Sequence, residues 1–379
     1  MNFQLTPEQE MIRKVARQFA EEVCEPIAEE IDRTHKFPRD TFNKLTKCGL
    51  TAVGFPNEFG GAGLDKLAQA IVTEELAKKC ATTAAMYSIH QGAAWVIHMY
   101  GTKEQKEKYL RPMLEDGVVG AFALTEPNAG SDASNVQTVA VEDGDSYILN
   151  GTKCFITGGS QAGIYTVMAM TEPEKKTKGI TAFIIEAGTP GFKVGKIEEK
   201  MGICGSDTAE LIFENVRVSK ENILGKLNQG FKYALSSIDG ARITVPAAQG
   251  LGIAEGAFEH AVRYAKERVQ FGRPIAKQQG IQWYLAEMKT RIEAARFLTY
   301  QAAWLHDQGK NVSAESAMAK YYASETARFV TNLALQIHGG YGFMKDYPLE
   351  RMYRDAKITE IYEGTNEIQK LVIARSVLS

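Results

Sequence analysis

Length, composition and charge limit what this chain can be. It has 379 residues, of which 44% are hydrophobic and 24% are charged, and its formal net charge is −2. These values are typical of a globular protein with two or three domains, and the lack of a long basic run argues against nucleic acid as the main partner. The five cysteines and six histidines show no metal-ligand or disulfide spacing, so we expect no metal site and a reducing compartment.

The first block of the sequence, residues 1–118, is predicted to be helical. Thr6, Pro7 and Gln9 form a helix-start pattern: a capping residue, a proline in the first turn and a glutamine three residues after the cap. Apolar residues then recur at helical spacing, as in LAQAIVTEELAKKC. The sequence shows neither a secretory leader nor an apolar run of transmembrane length, so we expect a cytoplasmic protein without membrane insertion.

The second block, residues 119–225, consists of short β-rich runs such as YILNG, ITAFIIEAG and TAELIFENVRV. The pairs Asp143-Gly144 and Asn150-Gly151 are typical of turns between strands. Since no long helical pattern separates the runs, we predict an antiparallel sheet, either a small barrel or a sandwich.

The third block, residues 226–379, is again helical. This order lacks the alternating strands and helices of a doubly wound domain, so NAD is not expected as a tightly held cofactor.

Four short segments have compositions that suit ligand binding. AFALTEPNAGSDAS (121–134) ends a β run in a turn-rich loop whose N–H groups and hydroxyls suit a polar heterocycle or a phosphate. In RVQFGRPIAKQQ (268–279), Arg268 could pair with phosphate or carboxylate, and Phe271 could lie against a flat ring. KCFITGG (153–159) ends a strand, and QIHGGYG (336–342) permits close backbone approach. An ordinary loop, a surface arginine, a core aromatic and helix-ending glycines are the alternatives.

One acidic residue near the end of the chain stands out by its position. The segment Tyr362-Glu363-Gly364-Thr365 interrupts an apolar pattern that NEIQKLVIARSVL resumes. Thr365 can cap the last helix, which leaves Glu363 on the connecting loop. A loop carboxylate held between two helices can be aimed at a substrate, or it can point into water.

Taken together, these segments resemble the acyl-CoA dehydrogenase family along essentially the entire chain. The resemblance is carried, in order, by LTEPNAGSD, FIT, MGICGSDTAELIFENVRV, RVQFGRP, QIHGGYG, RDAKI and IYEGT, and it is greatest to the bacterial short-chain, butyryl-CoA-dehydrogenase-like branch. It implies an α+β fold with an N-terminal helical domain (1–118), a middle antiparallel β-barrel (119–225) and a C-terminal four-helix bundle (226–379). It also implies one FAD per subunit, a homotetramer built as a dimer of dimers, and electron exchange with an electron-transfer flavoprotein.

The resemblance also assigns roles to individual residues. It implies FAD contacts at Phe122, Leu124, Thr125, Gly130, Ser131, Phe155, Ile156, Thr157, Arg268, Gln270, Phe271, Gln279, Gln336, Ile337, His338, Gly339, Gly340, Thr365 and Glu367. The segments around residues 121–131 and 155–157 would bracket the flavin ring, and Arg268 to Gln279 would contact the adenine half across a dimer interface. It implies acyl-CoA contacts at Ser131, Asp239, Arg242, Tyr362 and Gly364.

Glu363 matches the catalytic base of the family in its YEGT position. Removal of an α-proton from a thioester needs a base poised close to that carbon, and a carboxylate suffices in a dry pocket. Bound acyl-CoA would raise the pKa of this carboxyl by desolvation. The resemblance further implies that the β-hydrogen leaves as hydride to flavin N5. The backbone N–H of Glu363 and a ribityl hydroxyl would polarise the thioester carbonyl.

The sequence departs from the family pattern at two places, and a run of small residues bears on the same pocket as the second. Cys204 stands where many relatives have arginine, so any role of that arginine is lost. The segment from Arg242 to Gln249 has one residue more than the short-chain pattern and contains Pro246, which predicts a bulge or kink in a helix that lines the acyl pocket in relatives. The small residues Gly92-Ala93-Ala94 could widen the same pocket.

These departures predict an acyl group that is short, or short but bulky. The butyryl-CoA/crotonyl-CoA pair is the default substrate and product of an acyl-CoA dehydrogenase or enoyl-CoA reductase, and reduction of a caffeyl-CoA-like aryl-acrylyl thioester is the alternative. An oxidase of the same fold, a nitroalkane oxidase and a non-catalytic CoA-binding scaffold are competing functions. The direction of the reaction depends on flavin potentials that no residue pattern states.

Overall fold

The computed structural model describes residues 4–378, and its first helices confirm the predicted start signal. The Thr6 hydroxyl accepts a hydrogen bond from the Gln9 N–H at 3.2 Å, and the Gln9 side chain accepts one from the Thr6 N–H at 3.0 Å. This capping box satisfies two N–H groups that the first turn leaves without helical partners. The N-terminal helices are α1 (Pro7–Phe19), α2 (Ala28–Thr34), α3 (Arg39–Lys47), α4 (Lys66–Lys79), α5 (Ala81–Tyr100), α6 (Lys103–Gln105) and α7 (Arg111–Glu115).

The middle of the chain forms one curled sheet of seven strands. They are β1 (Gly120–Ala123), β2 (Val139–Asp143), β3 (Ser146–Thr157), β4 (Ile164–Met170), β5 (Ile180–Glu186), β6 (Phe192–Ile197) and β7 (Thr208–Ser219). The order is β1-β4-β2-β3-β7-β6, with β5 paired to β4. The predicted antiparallel pairing holds between β2 and β3, β3 and β7, β4 and β5, and β6 and β7. However, β1 and β4 run parallel, and a single parallel bridge joins β2 to β4.

The two predicted turns in this sheet have different outcomes. Asp143 pairs with Ser146, and Gly144 has a φ of 60°, so Asp143-Gly144 does lie in the turn between β2 and β3. Asn150-Gly151 is not a turn, because both residues lie inside β3, where the register with β7 shifts. A Cβ at Gly151 would stand 2.6 Å from the Thr138 hydroxyl, so this glycine serves a bulge and a close approach.

The C-terminal part is helical and contains the predicted irregularity at Pro246. Helix α8 (Gly230–Arg242) continues through a π-helical turn, Ile243–Ala247, into α9 (Ala248–Glu267). A π turn accommodates one extra residue, and Pro246 has no N–H to give to a regular helix, so the predicted bulge is confirmed. A short hairpin, β8 (Val269–Gln270) and β9 (Arg273–Pro274), precedes α10 (Gln279–Asp307), α11 (Ser313–His338), α12 (Leu349–Ile358) and α13 (Asn366–Leu378).

Helix α11 is the centre of this region and positions the last helices. It packs against α9, α10, α12 and α13, and its inner face is lined by small residues such as Ala319, Ala323 and Ala327, all with 0% exposure. Small side chains let neighbouring helix backbones come close. The turn between α12 and α13 therefore lies directly over α11. Within the described residues, every helix is too short or too polar to cross a lipid bilayer.

The contact between α9 and α4 depends on two glycines. A Cβ at Gly252 would stand 2.3 Å from the Glu74 carbonyl oxygen, and one at Gly256 would stand 2.3 Å from the Lys78 carbonyl oxygen. We expect Gly252→Ala to lower the free energy of unfolding by roughly 1–3 kcal/mol, since backbone atoms must move apart. Gly280→Ala is the matched control: nothing lies within 4 Å of its Cβ position, so its stability should be unchanged or slightly higher. Urea unfolding of the FAD-loaded proteins measures both, and equal stability of the two variants would contradict this packing.

Candidate active site

Glu363 lies in a strained turn between α12 and α13. Its φ is 54° and that of Gly364 is 89°, so two successive residues are in the left-handed region. A glutamate adopts this conformation rarely, and it persists only where the surroundings impose it. The Asn366 N–H donates to the Glu360 carbonyl at 3.0 Å, and the Gln369 side-chain amide donates to the Gly364 carbonyl at 2.8 Å. The turn is thus closed by its own backbone and held from the first turns of α13.

Thr365 and Glu367 flank this turn at the start of α13. The Thr365 hydroxyl accepts from the Ile368 N–H at 3.4 Å, which agrees with the predicted capping position. Glu367 lies in the first turn of the helix with an exposed side chain. Glu367 is thus exposed to water, whereas Thr365 is half-buried like Glu363 and Gly364.

Arg242 connects the turn to the α8 helix. Its Nε donates to the Glu363 carbonyl at 3.3 Å, and its second guanidinium nitrogen donates to Asp239 Oδ1 at 2.6 Å. Arg242 is buried, and the Ser313 hydroxyl also reaches Asp239 Oδ1, at 3.4 Å. The structure therefore brings together Asp239, Arg242, Glu363 and Gly364, four residues that the sequence predicted for the base and the thioester.

The electrostatic environment of Glu363 combines burial with two cations. The side chain is half-buried, and burial raises the pKa of its carboxyl above the ordinary value, whereas Arg242 and Lys320 lower it. The net direction is upward. A carboxyl with a raised pKa is a stronger base when ionised, which is the property that proton abstraction from carbon requires.

Tyr362 is linked to the inserted segment by a residue that sequence reasoning missed. Its hydroxyl donates to Gln249 Oε1, and the Gln249 amide donates to the Ala81 carbonyl at 2.9 Å. Gln249 is fully buried and lies just after the π turn. The only sequence signal was its place at the end of the segment with the extra residue.

The loop after β1 and the end of β3 form a second group. The Cys154 N–H donates to the Thr125 carbonyl at 3.0 Å, so the LTEP and FIT segments lie side by side. Phe122 is half-buried, and Leu124 and Ile156 are buried, whereas Phe155 is 64% exposed with a φ of 57°. Thr125 and Thr157 are partly exposed, and Gly130 and Ser131 lie on an exposed loop. Phe155 and Thr157 lie at the end of β3, and the hydrogen bond from Cys154 holds Thr125 alongside that strand end.

A buried ion pair that the sequence did not indicate supports this second group. Lys153 Nζ donates to Glu126 Oε1 at 2.7 Å and to the Leu124 carbonyl at 3.0 Å. Glu126 also accepts the backbone N–H groups of Gln137 at 2.6 Å and Thr138 at 3.0 Å. Burial opposes ionisation of Glu126, but Lys153 and these donors hold the pKa of its carboxyl below the usual value. The pair therefore fastens both ends of the 124–138 loop to β3.

The third group combines the RVQFGRP and QIHGGYG segments. The Arg268 guanidinium lies over the Tyr341 ring, 5.4 Å from its centroid. Phe271 is 92% exposed, and Gln270, Gln279, Gln336, Gly339 and Gly340 are exposed as well. In contrast, Ile337 and His338 are buried, and the centroid of the His338 ring lies 4.0 Å from that of Tyr264, on which it stacks. Any contact of these two residues with a cofactor would therefore involve their backbone.

The exposed parts of the second and third groups suit a flat dinucleotide. No heavy atom lies within 4 Å of the Cβ position of Gly130, Gly272, Gly339 or Gly340, so a ring or phosphate can approach their backbones. Phe155 and Phe271 offer exposed aromatic rings, and Phe271 directly precedes Gly272 in the chain. The two groups belong to the middle sheet and the C-terminal helices, respectively, which fits two halves of a long ligand.

Comparisons with known proteins cover the whole chain. Family models described as the N-terminal, middle and C-terminal domains of acyl-CoA dehydrogenase match residues 6–117, 121–216 and 228–378. The chain is 60% identical to "Acryloyl-CoA reductase (NADH)" of Anaerotignum propionicum, covering 100% of this chain and 96% of that protein. It is 48% identical to "3-(aryl)acrylate reductase" of Clostridium sporogenes, covering 98% and 99%.

Solved structures also match this chain over its whole length. Butyryl-CoA dehydrogenase from Megasphaera elsdenii matches with a TM-score of 0.98 at 48% identity, covering 100% of both chains. A chain from a structure described as an electron transferring flavoprotein of Acidaminococcus fermentans, studied for flavin-based electron bifurcation, matches with a TM-score of 0.98 at 52% identity, again over 100% of both chains.

Proposed function

Because this chain belongs to the acyl-CoA dehydrogenase family, we propose that it interconverts a short acyl-CoA and its 2,3-enoyl-CoA with Glu363 as the base. The observation that carries the proposal is the Glu363 turn. Its backbone is strained, its carboxyl is half-buried and has a raised pKa, and Arg242 donates a hydrogen bond to its backbone carbonyl. FAD, the cofactor of this family, supplies when bound the two-electron acceptor or donor for the hydride at the β-carbon.

Different groups around the turn are proposed to transfer the α-proton and to polarise the thioester carbonyl. The Glu363 carboxylate takes the α-proton as the α C–H bond breaks, and in the opposite direction its carboxylic acid returns that proton. The Glu363 N–H is proposed to donate to the thioester carbonyl, where negative charge develops. Arg242 fixes this N–H indirectly, because its hydrogen bond to the Glu363 carbonyl orients the adjoining peptide groups. Asp239, Ser131, Tyr362 and Gly364 are the further residues proposed to contact acyl-CoA.

The proposed FAD contacts follow the second and third groups. Phe122, Leu124, Thr125, Gly130, Ser131 and Phe155 to Thr157 would hold the flavin half, and the residues of the third group would hold the adenine half. The strongly exposed Phe271 supports a contact supplied across a subunit interface, because an aromatic ring with 92% exposure is costly in water. Thr365 and Glu367 would complete the site at the start of α13.

The acyl pocket is proposed to be short, with spare width beside α5. No heavy atom lies within 4 Å of the Gly92 Cβ position, whereas Ala93 and Ala94 are buried in the protein core. Only Gly92 of the three small residues therefore adds open space. The relative named for acryloyl-CoA supports a short acyl group, and the one named for 3-(aryl)acrylate supports a flat ring as the second candidate.

A substrate panel tests the proposal. We expect anaerobically reduced holoenzyme to be reoxidised by acryloyl-CoA and crotonyl-CoA, at rates at least about tenfold above that with caffeyl-CoA, because each unfavourable fit in an apolar pocket costs about 1–3 kcal/mol. Flavin absorbance measures each rate. Faster reaction with caffeyl-CoA would replace the first candidate by the aryl one, and preference for decanoyl-CoA would exclude both.

Gly92→Val extends this panel with a matched change in the pocket. The added side chain fills the open space beside α5, so the rate with caffeyl-CoA should fall more than the rate with acryloyl-CoA. A colourless purified protein that reacts with none of these thioesters would instead support the non-catalytic CoA-binding scaffold. Rapid reoxidation of the reduced enzyme by oxygen would support the oxidase.

We also propose an electron-transfer flavoprotein as redox partner and a cytoplasmic homotetramer. The first rests on the structural match to a chain from such a system. The second rests on large exposed side chains along one stripe of α10, namely Trp283, Phe297 and Trp304, which another subunit could cover. Sedimentation of the purified holoenzyme as a monomer would contradict the tetramer.

A further inference from the structure

Lys320 is a buried cation to which the proposed reaction gives no role. It lies on α11 with 0% exposure, and its Nζ donates to Asn366 Oδ1 at 2.6 Å. The Ser324 hydroxyl, one helical turn later, donates to the same oxygen at 3.1 Å. A lysine is rarely buried unless it is paired, because its charge loses the solvation of water.

The partner of Lys320 is part of the turn that carries the proposed base. Asn366 is the first residue of α13, and its N–H closes the turn on the Glu360 carbonyl. Arg242 holds the same turn from α8 through the Glu363 carbonyl. Two cations from neighbouring helices therefore hold the left-handed Glu363 and Gly364 on either side. Arg242 of α8 bonds to the Glu363 carbonyl, and Lys320 of α11 bonds to Asn366.

The charges that face Lys320 come from every element packed against it. Glu360 and Glu363 lie on the turn, Glu367 lies on α13 and Arg242 lies on α8. Glu360 is already paired with Arg328 at 2.7 Å and with Lys357. Glu367 is exposed to water, which screens its charge. Glu363 is the remaining acidic group on this turn, and its side chain is half-buried.

We propose that Lys320 is a positioning residue for Glu363, holding Asn366 at the end of the turn and favouring the carboxylate over the carboxylic acid through the protein interior. This inference rests on the proposed function, since it assigns a role toward the proposed base. Opposite charges act strongly on each other where water is excluded. The ammonium is thus both a mechanical clamp and a source of electrostatic stabilisation for the ionised base.

The sign of the electrostatic effect follows from the surroundings. Burial raises the pKa of Glu363, and Lys320 together with Arg242 opposes that rise. Burial also lowers the pKa of Lys320 to about 7, so the lysine is charged throughout the acidic range in which a carboxyl titrates. Removing the ammonium should therefore raise the pKa of Glu363 further and shift its ionisation to higher pH.

The test compares three variants of the FAD-loaded enzyme by the pH dependence of kcat/KM for acyl-CoA oxidation, the direction in which Glu363 must be ionised to accept the α-proton. Lys320→Met removes the charge and the hydrogen bond, and Lys320→Gln removes the charge but keeps an N–H donor for Asn366. Both should move the acid limb up by about one pH unit, so that kcat/KM falls about tenfold on that limb. KM should change less than kcat. Ser324→Ala removes an uncharged donor to the same Asn366 oxygen and should leave the midpoint of the acid limb in place.

Each outcome decides something. A reactive wild type combined with unshifted acid limbs in Lys320→Met and Lys320→Gln would overturn the role of Lys320 alone. A wild type that reacts with no thioester of the panel would remove the proposed function first. A shift in Ser324→Ala equal to that in Lys320→Gln would replace the electrostatic role by simple contact with Asn366. Failure of both lysine variants to fold with FAD bound would leave Lys320 a purely structural residue and overturn the inference.

Discussion

Replacement of Glu363 by glutamine is expected to abolish the bleaching of bound FAD by acyl-CoA while FAD stays bound. The amide has nearly the same shape, so the turn held by Arg242 and Gln369 should persist. It cannot accept the α-proton, and a positioned general base contributes roughly 10²–10⁴-fold to a rate. Anaerobic stopped-flow absorbance of the flavin measures the loss, and the oxidised spectrum of the variant reports FAD content.

Two further variants serve as controls. One tests whether the position of the carboxylate matters, and the other tests whether loss of any glutamate lowers the rate. Glu363→Asp keeps a carboxylate and tolerates the left-handed backbone, but it withdraws the base by one methylene, so we expect a loss of about 10²-fold. Glu214→Gln changes an exposed glutamate that pairs with Lys193 on the middle sheet, and its rate should equal that of the wild type. Retention of more than a tenth of the rate by Glu363→Gln would refute the assignment of the base.

Replacement of Lys153 by methionine is expected to lower the free energy of unfolding by about 3–5 kcal/mol, because it leaves the buried Glu126 carboxylate without its cation. Lys153 has no exposed surface, and Glu126 is only 4% exposed. The same change should weaken FAD binding, since the 124–138 loop would lose its attachment to the end of β3. Urea unfolding and FAD titration measure the two effects.

The controls for Lys153→Met use charge and exposure. The double variant Lys153→Met with Glu126→Gln leaves no unpaired buried charge, so it should recover part of the lost stability. Lys193→Met breaks the exposed pair with Glu214 and should cost at most about 1 kcal/mol. If Lys153→Met were no less stable than Lys193→Met, the buried pair would contribute no more to the free energy of unfolding than the exposed pair.

The pH dependence of stability gives an independent check on this pair. The pKa of Glu126 is lowered in the folded protein, so its contribution is present above the ordinary carboxyl pKa of about 4.3 and is lost as the pH falls through the folded value. The wild type should therefore lose stability in acid more steeply than the double variant. Parallel curves for the two proteins would argue against the ionised pair.

Local chemistry was sufficient for the features that depend on neighbouring residues in the chain. The capping box at Thr6 and Gln9 and the turn at Asp143-Gly144 each follow from a few adjacent residues, and the structure contains both. The bulge near Pro246 was predicted from that proline together with one extra residue relative to the family pattern, and the structure contains it as well. The interrupted apolar pattern and the Thr365 cap likewise placed Glu363 on a loop before the last helix, where the structure has it. Such signals are reliable because they act on the backbone within one or two turns.

Features that join distant segments had no comparable signal. The parallel pairing of β1 with β4, and the position of Gly151 inside a strand, depend on which other strand comes alongside. His338 became a buried ring stacked on Tyr264 because two helices meet there. In each case the partner is far away in the sequence, and the residue type alone is compatible with several environments.

The same reason explains the two buried lysines. In a sequence, Lys153 in a strand and Lys320 in a helix are indistinguishable from the many surface lysines around them. They differ from surface lysines only in the folded protein, where water is excluded and Lys153 donates to Glu126 and Lys320 to Asn366. The chain's own residue order thus establishes the family, the starts of the first and last helices and the candidate base. The burial that raises the pKa of that base, and the cations that restrain it, exist only after distant helices have packed together.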